Sequence, residues 1–141
     1  MAVIINQAMG TDILLAAQDT AADYNERGVT YHMGGDASQG GSTSDCSHFV
    51  HDVIGQVGME LPYVTTQTIS SSPDYSEIGI EDAFEGVVIV QGAHMGVYSG
   101  IDANGLVHGW QMGNHGAANG KWGPGGWFDH PNDLRFYAPL E

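Results

Sequence analysis

The sequence predicts an α+β fold, with helices in the first half and an antiparallel sheet in the second. Up to Val57, two stretches carry apolar residues at helical spacing. Beyond Gly86 the pattern changes to short apolar runs suited to strands. Between two of those runs stands Asn104-Gly105, a strong hairpin signal.

From Thr11 to Arg27 the apolar residues Ile13, Leu14, Ala17, Ala21 and Tyr24 fall near helical spacing, with Thr11 or Asp12 as cap and Gly28 as stop. Residues 34–44, GGDASQGGSTS, read as a Gly/Ser loop. Ser44 or Asp45 then caps a second helix, in which Phe49, Val50, Val53, Ile54 and Val57 form one apolar face. Pro62 closes that unit, and residues 65–82 read mostly as loop with one helical turn. Gly86–Gln91 (GVVIVQ) suits a buried strand, and His94–Ile101 and Leu106–Gln111 suit two more. Asp102 and Asn104 resemble a fragment of a calcium loop, but the remaining carboxylate ligands are missing and the segment reads as a turn. Residues 113–126 are Gly-rich, and Leu134–Ala138 forms a last strand. No repeat or linker divides the chain, so 1–141 reads as a single catalytic domain.

At 141 residues and 42% apolar content the chain can bury a core. Its 17 acidic residues face only 3 basic ones, for a formal charge of −14. That excludes nucleic acid as a partner, because no Lys/Arg cluster exists to displace phosphate counterions, and it excludes an anionic membrane surface. The first ten residues carry no Lys or Arg before their apolar residues, unlike a secretory signal peptide, and no run approaches a membrane span. If the protein works outside the cytoplasm, in the periplasm or cell wall, a non-classical route is expected to carry it there, or a leader to have been lost.

The lone cysteine, Cys46, is either a buried small hydrophobe or a nucleophile, and its neighbours favour the second. It follows a capping residue in the first turn of the second helix, where free amides and the helix dipole are expected to favour thiolate. A thiol hydrolase also needs a base. His48 and His51 share the helix of Cys46 and cannot easily swing back to its sulfur, so both read as rim residues. Their i, i+3 spacing permits two zinc ligands, but no HExxH or paired-Cys motif accompanies them, and no metal is expected. His94 begins a strand, from which a side chain can reach a helix start. Helix-borne Cys and strand-borne His are the arrangement of papain-like enzymes.

The segments GVTYHMGGDASQGGSTSDCSHFVHDVIGQVGMELP and GAHMGVYSGIDANGLVHGW together resemble the NlpC/P60 cysteine peptidases of bacterial cell walls. That family reads Y-x-x-G-G, D-C-S-G-[FL]-V, a Gly-x-x-LP stretch, H-V-G-I-Y-x-G and a short strand ending in I-H-A. The resemblance implies a papain-like fold with helices packed on the sheet, and no cofactor. It implies Cys46 as nucleophile, His94 as base and His108 as the residue that orients His94. It further implies Tyr31 near the oxyanion position and Asp45 and Ser47 as substrate contacts. His48 replaces the usual Gly after D-C-S and is expected at the substrate rim. Tyr63 stands where an Arg often follows LP, and the usual Gly-Asp before the first strand becomes Gly86-Val87.

Two assignments stay open on the residues alone. A strict two-residue turn at Asn104-Gly105 would set His94 opposite His115, whereas a wider loop from Gly100 to Gly105 brings His108 diagonally closer. Tyr31 is a site residue or a core aromatic. Trp110, Trp122 and Trp127 form a ligand-facing wall or pack in the core.

The resemblance implies hydrolysis of peptidoglycan stem peptides, commonly between D-Glu and a diamino acid. Alternatives are an N-acetylmuramoyl-L-alanine amidase of the same fold and a silent wall-binding module. A lone catalytic domain of this kind also resembles injected antibacterial effectors, including type VI amidase effectors, which implies a cognate immunity protein as partner. A phage lysis enzyme and a housekeeping hydrolase are equally compatible.

Overall fold

A computed structural model of the chain describes residues 3–38, 40–122 and 134–141. Helix α1 spans Gln7–Arg27, starting a turn before the expected Thr11 because the Asn6 side chain accepts the Met9 amide at 2.8 Å. It stops at Gly28, whose φ of 71° is the left-handed conformation glycine adopts without strain. The two-residue strands β1 (Thr30–Tyr31) and β2 (Thr43–Ser44) pair in parallel and close the base of the Gly/Ser loop, setting Tyr31 beside Ser44. Helix α2 (Cys46–Gln56) follows directly, capped by Asp45, and buries Phe49, Val50, Val53 and Ile54. Tyr24 of α1 lies edge-on to Phe49 at 5.6 Å and donates its hydroxyl to Asp52 at 2.8 Å, which fixes the two helices together.

The sheet is built from β3 (Tyr75–Ile78), β4 (Val88–Gln91), β5 (His94–Ile101), β6 (Val107–Gly113), β7 (Gly116–Trp122) and β8 (Leu134–Pro139), in the order β3-β8-β4-β5-β6-β7 with antiparallel neighbours. The α+β class expected from the sequence is therefore what forms. Alternate side chains face opposite sides of the sheet. Val88, Val90, Met95, Val97 and Met112 join the helices in one core, while Val87, Ile89, Tyr98, Val107, Trp122 and Phe136 build a second beneath the sheet. Two strands run through segments read as loop. β3 pairs with β8 at an edge, and β7 crosses the Gly-rich stretch, holding Ala117 and Trp122 buried between small residues. The expected Trp127 lies outside the described residues.

The β5–β6 connection is wide. Ile101 pairs with Val107 and Gly100 with His108, and after a bulge Tyr98 pairs with Gly109 and Val97 with Trp110. The Asp102 carboxylate closes the loop by accepting the Asn104 amide at 2.8 Å and the Leu106 amide at 3.0 Å. The calcium-like fragment is thus a capped turn. Continuing the register past the bulge sets His94 opposite Gly113.

Gly96 and Gly109 are where Trp122 approaches the sheet. A Cβ on Gly96 would stand 2.5 Å from the Trp110 carbonyl and 2.7 Å from the Trp122 ring, and one on Gly109 would stand 3.0 Å from the indole nitrogen. Gly96→Ala is therefore expected to destabilise the protein by about 1–3 kcal/mol through overpacking. Thermal unfolding checks this; an unchanged midpoint would refute it.

Candidate active site

The start of α2 is assembled around one carboxylate. Asp45 Oδ1 accepts the His48 amide at 2.8 Å, the His48 ring Nδ1–H at 2.7 Å and the Ser47 hydroxyl at 3.3 Å, while Oδ2 accepts the Gly34 amide at 2.8 Å. Four donors thus converge on two oxygens, which is the acceptor capacity of a carboxylate. Burial raises the pKa of Asp45, but the hydrogen bonds from His48 and Gly34 outweigh it and hold the carboxyl below its usual range. Asp45, which the resemblance makes a substrate contact, holds the loop and the helix start together.

Cys46 occupies the first position of α2 and is only 8% exposed. The amide of Met95, the residue after His94, is near enough to its sulfur to pull the thiol pKa downward, which places the helix start beside the start of β5. Burial pushes the thiol above its ordinary 9.0 and the Asp45 charge adds to the rise, against the opposing amides of Met95, Ser47 and Cys46 itself. The expected preference for thiolate is thus overturned: removal from water outweighs the helix-start amides.

His94 is buried, and its Nε2 meets the side-chain oxygen of Gln111 at 2.6 Å. An amide oxygen only accepts, so Nε2 carries the proton and the basic lone pair is on Nδ1. The indole of Trp122 stacks on the imidazole at 5.2 Å and 25°, fixing its plane. Burial lowers the His94 pKa below 6.5, more than the Gln111 bond raises it, so at neutral pH the ring is an uncharged base.

The side chain that the structure sets against the His94 ring is therefore Gln111, where the family resemblance implies His108 and strict hairpin geometry offers His115. Alternation explains why. Gly109, Gln111 and Gly113 share one face of β6, the face of the sheet that also carries His94, and His108 projects from the other. His108 also stands across from Gly100, six residues along β5 from His94, roughly 15–20 Å away at the rise of a strand. Its Nε2 donates instead to Asp102 at 2.8 Å. His115 is exposed in the two-residue turn between β6 and β7.

The remaining residues form the rim. Tyr31, half-buried, lies close enough for the charges of Cys46 and Asp45 to add to the desolvation that raises its phenol pKa, so it is a neutral donor. Tyr63 was singled out in the sequence only as a replacement for Arg. Its hydroxyl shares a hydrogen bond with Ser47 and approaches His48 Nδ1 at 3.3 Å, and its ring stacks on His48 at 4.3 Å and meets His51 edge-on at 5.6 Å. Ser47, His48 and Tyr63 thus make one polar wall beside Cys46. Among the described residues no group of three or more His, Cys, Asp or Glu could hold a metal ion. Among them, too, no helix is long and apolar enough to cross a membrane.

The arrangement places a buried helix-start thiol near the strand whose first residue is an imidazole held by Gln111 and Trp122, the two kinds of group that act as nucleophile and base in thiol hydrolases. A model of the NlpC/P60 family matches residues 28–117, which include Cys46, His94 and Gln111. No curated protein matches the chain.

The pKa directions predict how Cys46 alkylates. The rate with a small neutral alkylating reagent should rise with pH through an apparent pKa above 9.0, following the thiolate. Mass spectrometry of the modified fraction over time measures it. A plateau of reactivity reaching down through pH 5–7 would show a resting thiolate–imidazolium pair instead.

Proposed function

The chain belongs to the NlpC/P60 family, and from that premise we propose that it is a cysteine endopeptidase cutting the stem peptides of bacterial peptidoglycan, at the bond between D-glutamate and a diamino acid. Members of the family are generally cysteine peptidases or amidases acting on peptidoglycan. The observation that carries the reading is the buried Cys46 at the start of α2, near the first residues of β5, with His94 held by Gln111.

In the proposed reaction the Cys46 sulfur attacks the scissile carbonyl carbon as its proton passes to Nδ1 of His94. Burial keeps the resting pair uncharged, so charge develops only as attack proceeds. The Cys46 amide and the Tyr31 hydroxyl receive the oxyanion. His94 then returns the proton to the departing amine, leaving a thioacyl enzyme, and activates the water that releases the acid. Gln111 keeps Nδ1 aimed at the reacting atoms throughout. The Ser47–His48–Tyr63 wall borders the substrate, and the site of action is the cell wall, where the substrate is.

Digestion of purified peptidoglycan with mass analysis of the fragments tests this. New amino termini within the stem are expected. New termini at the sugar–peptide junction would identify an amidase, and intact sacculi would defeat the hydrolase reading. Cys46→Ala should abolish release while remaining folded. Gln111→Ala should lower kcat by about tenfold or more with a smaller effect on KM, because an orienting residue acts mainly in the transition state. His108→Ala should turn over close to wild type. Normal turnover in Gln111→Ala, or loss of it in His108→Ala, would return the orienting role to His108.

A further inference from the structure

At the end of the sheet away from His94, between β5, β6 and β7, lies a cleft of about 310 Å³. Ser99, Asp102, His108 and Asn119 are among its walls. Its volume is at the lower end of the range of small-molecule sites. None of these side chains takes part in the catalytic constellation.

The register shows why this corner is open. Trp110 pairs with Asn119, and His108 pairs with Lys121. Paired residues project to one face, so these side chains share a face with Met112, which packs in the helix-side core. Helix α1 ends over the start of β7, where Asn25 donates to the Ala117 carbonyl at 2.9 Å. Further along that strand Asn119 and Lys121 are exposed, so the helix leaves this part of the face uncovered. The bulge in β5 sets Ser99 between the Tyr98/Gly109 and Gly100/His108 pairs and turns its hydroxyl toward Asn119.

The polar groups here are held in place and carry no net charge. Asn119 Nδ2 donates one hydrogen to the Ser99 oxygen at 2.9 Å. Among the described residues, the second amide hydrogen, the amide oxygen and the Ser99 O–H stay available to a ligand. His108 Nε2 donates to Asp102 Oδ2 at 2.8 Å, which leaves the lone pair of the neutral ring on Nδ1. The other oxygen of Asp102 is occupied by the amides of Asn104 and Leu106. Lys121, across from His108, carries one positive charge against the one negative charge of Asp102. An ion of either sign therefore meets attraction and repulsion together.

We propose that this cleft binds a neutral saccharide unit, at a site separate from the catalytic one. A sugar hydroxyl donates and accepts at one atom, so two adjacent hydroxyls satisfy the Asn119 N–H and its oxygen at once. The Ser99 O–H and His108 Nδ1 take further hydroxyls of the same unit. An extended peptide fits less well, because its donors and acceptors pair with a sheet edge, and these groups stand on a sheet face. Binding here needs neither Cys46 nor His94, so the site is independent of the peptidase reading.

NMR titration of the isotope-labelled wild-type protein at pH 7 tests this with trimers of glucose, N-acetylglucosamine and glucuronate. None of them offers a stem peptide to Cys46. At least one neutral trimer should shift the amides of residues 99–102, 107–109 and 118–121, and bind at least about fivefold more tightly than the anionic glucuronate trimer. Response to N-acetylglucosamine alone assigns the site to an N-acetylated glycan, and response to both neutral trimers assigns it to saccharide hydroxyls in general. Asn119→Ala and His108→Ala should each weaken binding at least about fivefold, as loss of one or two hydrogen bonds requires. Asn119→Ala should still cleave stem peptides as the wild type does. No shift with either neutral trimer, equal affinity for glucuronate, or wild-type binding by Asn119→Ala would overturn the site. Tighter binding of a short neutral peptide at the same amides would overturn it too. Intact peptidoglycan after digestion by the wild type would defeat the peptidase reading and leave the saccharide site standing.

Discussion

The carboxylate of Asp45 is the constraint on which the rest of the site depends. Its four hydrogen bonds join the Gly/Ser loop through Gly34, the first turn of α2 through the His48 amide, and the rim through His48 and Ser47. An N-cap normally satisfies one or two orphan amides at a helix end. Here the same group also sets where Cys46 points, because Cys46 follows it directly. There the sulfur lies near the amide of Met95, at the start of β5.

That junction is dry, and dryness decides the electrostatics. A helix N-terminus contributes at most about 2 kcal/mol toward an anion, and burial of an unpaired charge costs more. Cys46 and His94 are each shifted toward their uncharged forms by burial, in opposite directions along the pH scale. The interval between the two pKa values widens, and across it the thiol and the imidazole are both neutral.

Much of this was legible in the sequence. Cys46 after a capping Asp and His94 at the head of a strand are local features, set by neighbours a few residues away. The helices were legible for the same reason, since a spacing of three and four residues needs no partner to be read. Gln111 was not, because its place depends on register. The bulge between Tyr98 and Gly100 and the Asp102-capped loop decide which face of β6 looks toward His94, and neither follows from Asn104-Gly105 alone. A motif count that lands on His108 is off by an odd number of residues from Gln111, and in a strand an odd step changes the face. β7 was missed for another reason: its Gly, Ala and Asn residues lack strand propensity, and pairing with β6 imposes the conformation.

The small residues of β7 and the glycines of β5 and β6 serve one end. Trp122 is fully buried against the sheet, and it reaches His94 only because Gly96 and Gly109 leave the space. Gln111 fixes the direction of the imidazole from its edge, and Trp122 fixes its plane from its face. Orientation by a neutral amide and an apolar ring adds no charge to the site. A carboxylate in place of Gln111 would favour imidazolium and pull the His94 pKa upward. Burial keeps the base uncharged against the upward pull of the Gln111 bond, while Gln111 and the indole hold the ring in one position.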